Sequence, residues 1–181
     1  MITIIASTNR KNSRTKLFTE EYFKLLQAHT EETVKMLFLE DLPEDFIHRA
    51  MYAEDAQSPS LTLIQDEYVL PATKFFFVMP EYNGSYPGII KLFLDACSIR
   101  FYKDNFYGKK AGLAGVSSGR SGNLIGMDHF TTVLNYLGTQ VLPNKLPISQ
   151  CETLLNESKD QIVHQITLDA MKRQVLDFIA F

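Results

Sequence analysis

Two kinds of segment alternate along the chain. Residues 2–6 form a short apolar, β-branched run that gives way to polar residues, the pattern of a strand buried in a parallel sheet. Over residues 14–28, Phe18, Tyr22, Leu25 and Leu26 recur on one helical face. Thr33 to Leu39 reads as a second strand and about 60–70 as a second helix. Lys74 to Met79 is apolar and aromatic after its lysine and is stopped by Pro80, which makes it the central-strand candidate. A third helix follows Pro87, a favoured first-turn residue, with Ile90, Phe93 and Leu94 on one face. The small apolar residues 110–116 read as strand four, and about 122–137 as helix four, ending at Gly138. Thr139 to Leu142 reads as a short fifth strand. The last helix is expected from about 155 to the end, with Leu168, Met171, Val175 and Phe178 as its core stripe.

Strand and helix thus alternate five times, which predicts an α/β fold with a doubly wound parallel sheet and helices on both faces. No repeat, low-complexity run or linker interrupts the chain, so one domain over 1–181 is expected. The irregular stretch 41–60 is longer than an ordinary connection. Its Phe46, Ile47, Met51 and Tyr52 are costly to leave in water, and a partner subunit is the expected cover.

The bulk numbers exclude several function classes. The 181 residues are 45% hydrophobic and 22% charged, with a net charge of -3, which disfavours a general nucleic-acid binder. The start lacks the basic flank and cleavage site of a signal peptide, and no apolar run is long enough to span a bilayer. The expectation is a cytoplasmic protein with neither membrane nor nucleic acid as partner. Cys97 and Cys151 form no CxxC pair and the four histidines are scattered, so neither a disulfide framework nor a metal site is implied. Cys97 reads as a core residue, Cys151 as an uninvolved loop residue, and the histidines as surface or capping groups.

Ligands of an open α/β sheet sit beyond the carboxyl ends of its strands, and three unusual loops fall there. Loop one is Ser7-Thr8-Asn9-Arg10-Lys11-Asn12-Ser13-Arg14-Thr15. It places hydroxyls and N–H groups at a helix start, together with cations that oppose the helix dipole unless an anion is bound. There is neither GxGxxG nor a Walker sequence, so a phosphate monoester fits better than a dinucleotide or a triphosphate; the alternative is a solvated basic N-cap with Ser13 as the cap. Loop two is Pro80-Glu81-Tyr82-Asn83-Gly84-Ser85-Tyr86-Pro87-Gly88. Its two prolines and two glycines fix an uncommon path that can present N–H and C=O groups to the edge of a flat heterocycle, with Tyr82 and Tyr86 available to stack or to line a slot. The alternative is a stiff turn capping helix three. Loop three, Ser117-Ser118-Gly119-Arg120-Ser121-Gly122, is small enough for a planar ligand to approach the backbone, or is simply a flexible turn.

Together the loops resemble the flavodoxin-like NADPH-dependent FMN reductase family, whose relatives reduce quinones, azo dyes and chromate. Thr8, Arg10, Ser13 and Thr15 match the polar positions of that family's G-[ST]-x-R-x-x-S-x-[TN] loop, with Ser7 where the family has Gly. Pro80 through Lys91 to Asp95 match P-E-Y-N-G-S-x-P-G-x-x-K-x-x-x-D at every fixed position, and Ser117, Gly119 and Gly122 match S-x-G-x-x-G. The resemblance implies a three-layer sandwich with a five-stranded parallel sheet in order 2-1-3-4-5. It implies an FMN-binding set of Thr8, Arg10, Ser13 and Thr15; Pro80, Glu81, Tyr82, Asn83, Gly84 and Ser85; and Ser117, Ser118, Gly119 and Arg120. NADPH or NADH is the expected co-substrate and a small molecule the expected acceptor. Hydride passes to flavin N5 and then onward by ping-pong, without a protein catalytic residue. A homodimer, or a tetramer, is also implied. The competing readings are a one-electron flavodoxin carrier and a flavin-less binding protein on the same fold.

Overall fold

The computed structural model describes residues 1–53 and 56–181; Glu54 and Asp55, inside the long 41–60 stretch, lie outside the described residues. Its parallel strands are β1 (Ile2–Ala6), β2 (Val34–Phe38), β3 (Lys74–Pro80), β4 (Lys110–Val116) and β5 (Gln140–Val141), in order β2-β1-β3-β4-β5. A further short strand, β6 (Leu146–Ile148), also pairs with β4. The helices are α1 (Arg14–His29), α2 (Pro59–Ile64), α3 (Gly88–Cys97), α4 (Tyr102–Phe106), α5 (Leu124–Tyr136) and α6 (Gln165–Ala180). The expected fold class and strand order are therefore present.

β3 shows why the sheet needs two covering layers. Side chains alternate along a strand. Phe75, Phe77 and Met79 enter one core with α3, α5 and Leu61 of α2, whereas Phe76 and Val78 enter the other with α1 and α6. The Phe76 ring lies 4.6 Å from Tyr22 of α1 and 5.1 Å from Phe178 of α6; Phe77 meets Phe130 of α5 at 5.0 Å. Each fully buried side chain of this size contributes about 1.5–3 kcal/mol. The stripes expected on α1 and α6 are the buried ones, apart from half-buried Leu25 and Leu168.

Elsewhere the elements depart from expectation. Pro80 does not stop β3 but is its last residue, aligned with Val116; at a strand's end its missing N–H costs no ladder bond. The fifth strand is shorter than Thr139–Leu142, and its line is resumed by β6 after Pro143, Asn144 and Lys145. α2 widens into a π turn at Gln65–Val69, with Leu70 N–H donating to Gln65 O at 2.9 Å. The last helix starts at Gln165 rather than near 155, because residues 155–162 form a tight hairpin closed by the Leu155–Ile162 bridge. Asn156 Oδ1 accepts from the Asp160 and Gln161 amides there, an alternative to helix that the Asn side chain offers its own backbone. In the 41–60 stretch, Phe46 and Met51 are buried in this chain and need no partner, Ile47 is half-buried, and Tyr52 is 70% exposed.

A buried polar link ties the α1–α6 layer to the sheet. Tyr22 donates to Gln174 Oε1 at 2.6 Å, and Gln174 Nε2 donates to Leu113 O and Asn144 O, both at 2.8 Å. Burial pushes the Tyr22 hydroxyl well above its ordinary pKa. The unfolded chain therefore ionises first as pH climbs past about 10, so the stabilisation is whole below that pH and declines above it. Tyr22→Phe should cost about 1 kcal/mol at neutral pH by leaving Gln174 Oε1 unpaired, and should make the alkaline loss shallower. Urea unfolding of both proteins at neutral pH and at about pH 10.5 measures both effects; an equally steep alkaline loss in the variant would show that another group drives it.

Candidate functional site

β1, β3 and β4 run parallel and in register, Ala6 beside Val78 and Pro80 beside Val116, so the loops after them leave from one edge. They enclose a cleft of about 530 Å³, within the range of small-molecule sites.

Loop one is folded by its own hydroxyls. Ser7, at the position where the resembled motif has glycine, is fully buried; its amide donates to Val78 O at 2.9 Å and its hydroxyl turns back to Ile5 O at 3.2 Å. The extra side chain is thus absorbed inward and leaves the turn open. Thr8 Oγ1 accepts from the Arg10 amide at 3.1 Å and meets the Tyr82 hydroxyl at 2.6 Å, joining loop one to loop two. Ser13 caps α1, accepting from Thr15 N–H at 3.3 Å, and the first turn of α1 holds no acidic residue. Arg10, Ser13 and Thr15 face the cleft. Among the described residues Arg10 and Lys11 make no ion pair, although Arg14 is held by Glu152 at 2.9 Å. This end of the cleft is cationic and rich in hydrogen-bond donors, the character an anion requires.

Loop two is a wall with a closed tip. Tyr82 and Ser85 exchange both backbone bonds, at 2.9 and 3.1 Å, across Asn83 (φ 52°) and Gly84 (φ 75°). Two central residues at positive φ make this a type I′ turn, for which Asn-Gly is the favoured pair. Pro80, Glu81 and Tyr82 line the cleft, whereas Asn83 and Gly84 form the exposed tip outside it and Ser85 bonds His129 Nδ1 at 3.0 Å. Tyr86 packs its ring on Phe130, centroids 5.3 Å apart, and is not among the residues lining the cleft.

Loop three is stapled on both sides. Ser117 Oγ donates to Gly119 O and accepts from Gly122 N–H, both at 3.0 Å. Ser117 O accepts from Cys151 N–H at 3.0 Å and Gly119 O from Gln150 N–H at 2.8 Å, which draws the segment after β6 against the loop. Ser117 and Ser118 line the cleft; Gly119 and Arg120 do not.

Several groups here were not expected from the sequence. Val116, Cys151 and Glu152 line the cleft beside Asn12 and Arg14 of the expected loop one. Cys151, read as uninvolved, is brought in by β6, a strand that Pro147 disguised. Its thiol is pushed up by burial first and then by the Glu152 charge, which favours the protonated form. Ser121 donates to Glu81, joining loops two and three. Asn123, 1% exposed and at φ 62°, donates from Nδ2 to Pro80 O at 2.8 Å and to Met79 O at 3.3 Å. Gly126, one turn on, makes room for it: a Cβ there would lie 2.0 Å from Asn123 Oδ1 and 2.7 Å from the Tyr86 amide nitrogen. A polar residue immediately after the small-residue motif was the available signal for Asn123. Among the described residues no three His, Cys, Asp or Glu side chains gather as a metal site, and no helix is long and apolar enough to cross a membrane.

The sequence pattern of the NADPH-dependent FMN reductase family matches residues 1–153. The chain belongs to that family. The family is described by the reduction of FMN with NADPH. A 2-hydroxy-1,4-benzoquinone reductase from Burkholderia sp is 32% identical over 89 residues, 48% of this chain and 49% of that protein, so the chain matches about half the length of this curated relative. Two solved structures show the same fold. The flavoenzyme NAD(P)H:(acceptor) oxidoreductase FerB from Paracoccus denitrificans superposes with a TM-score of 0.80 at 21% identity, over 99% of this chain and 94% of its own. An FMN-dependent NADH-azoreductase from Bacillus anthracis, solved in complex with FMN, gives 0.63 at 13% identity over 97% and 98% of the two chains.

If Asn123 fixes the wall of the cleft, Asn123→Gly should preserve the left-handed backbone while freeing the Met79 and Pro80 carbonyls. The expected result is a loss of about 1–3 kcal/mol, with faster amide exchange at Glu81 and Tyr82. Unchanged exchange at those amides would mean that the wall is held by other bonds.

Proposed function

We propose that this chain binds FMN in the cleft and uses it to reduce a small acceptor at the expense of NAD(P)H. The observation that carries the reading is the pairing of unlike ends in one cleft. One end is a capped helix start with Arg10, Ser13 and Thr15 and no acid in its first turn. The other is a wall of Pro80, Glu81 and Tyr82, cross-bonded by Asn123, Ser121 and Thr8 to its neighbours. The first suits a monophosphate and the second a flat, hydrogen-bonding ring.

In this reading Arg10, the Ser13 and Thr15 hydroxyls and the free N–H groups of α1 hold the phosphate. The backbone of residues 80–82 borders the ring on one side and Ser117 and Ser118 border it on the other. Because the wall is already cross-bonded, little conformational entropy is lost when a ligand settles against it. Bound FMN supplies the redox chemistry, accepting hydride equivalents from the nicotinamide and passing them to a second substrate. The chain's residues bind and orient, and no side chain in the cleft is assigned an acid, base or nucleophile role. Sequential use of one place by donor and acceptor makes the kinetics ping-pong. A quinone is the first acceptor to test, supported by the Burkholderia relative, a 2-hydroxy-1,4-benzoquinone reductase. A homodimer belongs to the same reading, with Tyr52 (70% exposed) and Leu63 (71%) as uncovered apolar surface.

The purified protein should be yellow, or turn yellow with added FMN, and should bleach when NADPH or NADH is titrated without air. A quinone should restore the colour, and initial rates at several fixed acceptor concentrations should give parallel double-reciprocal lines. A colourless chain that ignores FMN would end the proposal; intersecting lines would end only its ping-pong part. Arg10→Gln should weaken FMN binding about tenfold, the worth of one charge-assisted contact.

A further inference from the structure

Arg14 stands at a position the phosphate-loop motif leaves unspecified, yet it is more firmly held than Arg10. Its Nε donates to Glu152 Oε1 at 2.9 Å and its Nη1 to Lys159 O at 2.9 Å. Lys159 Nζ then returns to Glu152 O at 2.6 Å, closing a ring of contacts between the start of α1 and a segment more than a hundred residues on. Lys159 sits at φ 59° in the hairpin formed by residues 155–162, whose turn is shaped by Asn156. It also lies beyond the 1–153 span of the family match, so this anchor belongs to a part of the chain that the family pattern does not describe. Arg14 and Glu152 both line the cleft, beside Ser13 and Thr15.

We infer that Arg14 is a second clamp for the ligand's phosphate and that Glu152, with the Lys159 carbonyl, is its positioning group. This rests on the reading of the cleft as an FMN site. A guanidinium carries five N–H donors in a rigid plane. Two of its nitrogens are engaged by the anchors, and no described residue accepts from Nη2. Its position is fixed by Glu152 at the edge of the cleft and by Lys159 outside it, so a phosphate oxygen meets a cation that need not be ordered first. The Glu152 charge is taken up on the Nε edge. An exposed pair of this kind, 41% and 46% accessible, adds little to stability on its own, and variants at either position should fold.

The test is titration of the chain with FMN and with riboflavin, which differ by the phosphate, followed by quenching of flavin fluorescence. The wild-type chain should prefer FMN. If it shows no preference, the phosphate end of the proposed site is wrong and this inference falls with it. Given that preference, Arg14→Gln should weaken FMN about tenfold and riboflavin less than about threefold. Equal weakening of both ligands, or of neither, overturns the role of Arg14 while leaving the FMN site standing. Glu152→Ala, which removes the Nε anchor, should weaken FMN several-fold, and Glu152→Gln, which keeps an acceptor oxygen, should restore it. Unchanged or tighter FMN binding by Glu152→Ala would show Glu152 to be idle or a competitor for Arg14, and would overturn its positioning role.

Discussion

Where a parallel sheet ends, its last backbone groups lose the neighbouring strand that paired them, and buried groups of this kind must find other partners. The cleft of this protein is built from the answers to that requirement. The Glu81 amide takes Val116 O, and Asn123 supplies its side-chain amide to Met79 O and Pro80 O. Ser117 closes its own loop through one hydroxyl and accepts the Cys151 amide on its carbonyl. The bonds that satisfy the strand ends are the same bonds that fix the loops, so the rigidity of the site follows from the sheet above it.

This explains what could be read from the chain and what could not. The central strand is legible because Phe75 to Met79 have no choice but burial on two faces, whereas the strand order comes from the family resemblance of the three loops, since right-handed crossovers fix the hand of each unit and not the order. Asn83-Gly84 announces a turn through its tolerance of positive φ. Glu152 and Cys151 were illegible because they reach the cleft through β6, three residues with a proline at the centre, whose pairing with β4 depends on tertiary contact alone. Tyr86 was ambiguous for a related reason. An aromatic in a ligand loop and an aromatic under the next helix look the same in sequence, and only the packing on Phe130 separates them. The start of α6 was misplaced because the Asn156 turn borrows residues that carry helical spacing.

Charge completes the contrast between the two ends of the cleft. α1 begins with Arg14 and carries Lys16 in its first turn, against its own dipole. Two of these cations are answered within the chain, Arg14 by Glu152 and Lys16 by Glu40. Arg10 and Lys11 are not answered by any described residue, and Arg10 lines the cleft. The net charge of the whole chain is -3, so this local excess is a property of the loop and not of a basic protein. An unbalanced cation beside free helix N–H groups is stabilised by an anion, and a phosphate ester is one that also brings a ring to the adjoining wall.

Glu81 also lines the cleft. A carboxylate in a cleft meant for an anionic ligand is unfavourable unless it faces the neutral part of that ligand or is itself engaged. Here it lies on loop two and accepts from Ser121 of loop three. Of the two acids that line the cleft, Glu152 is answered by Arg14 and Glu81 by Ser121, while Arg10 stays unanswered; in the proposed FMN reading this gives the cleft a polarity that a symmetric dianion would not match. A molecule with phosphate at one extremity and a hydrogen-bonding heterocycle at the other matches it in a single orientation. In the proposed FMN reading, that orientation puts the phosphate at α1 and the ring along the wall fixed by Asn123.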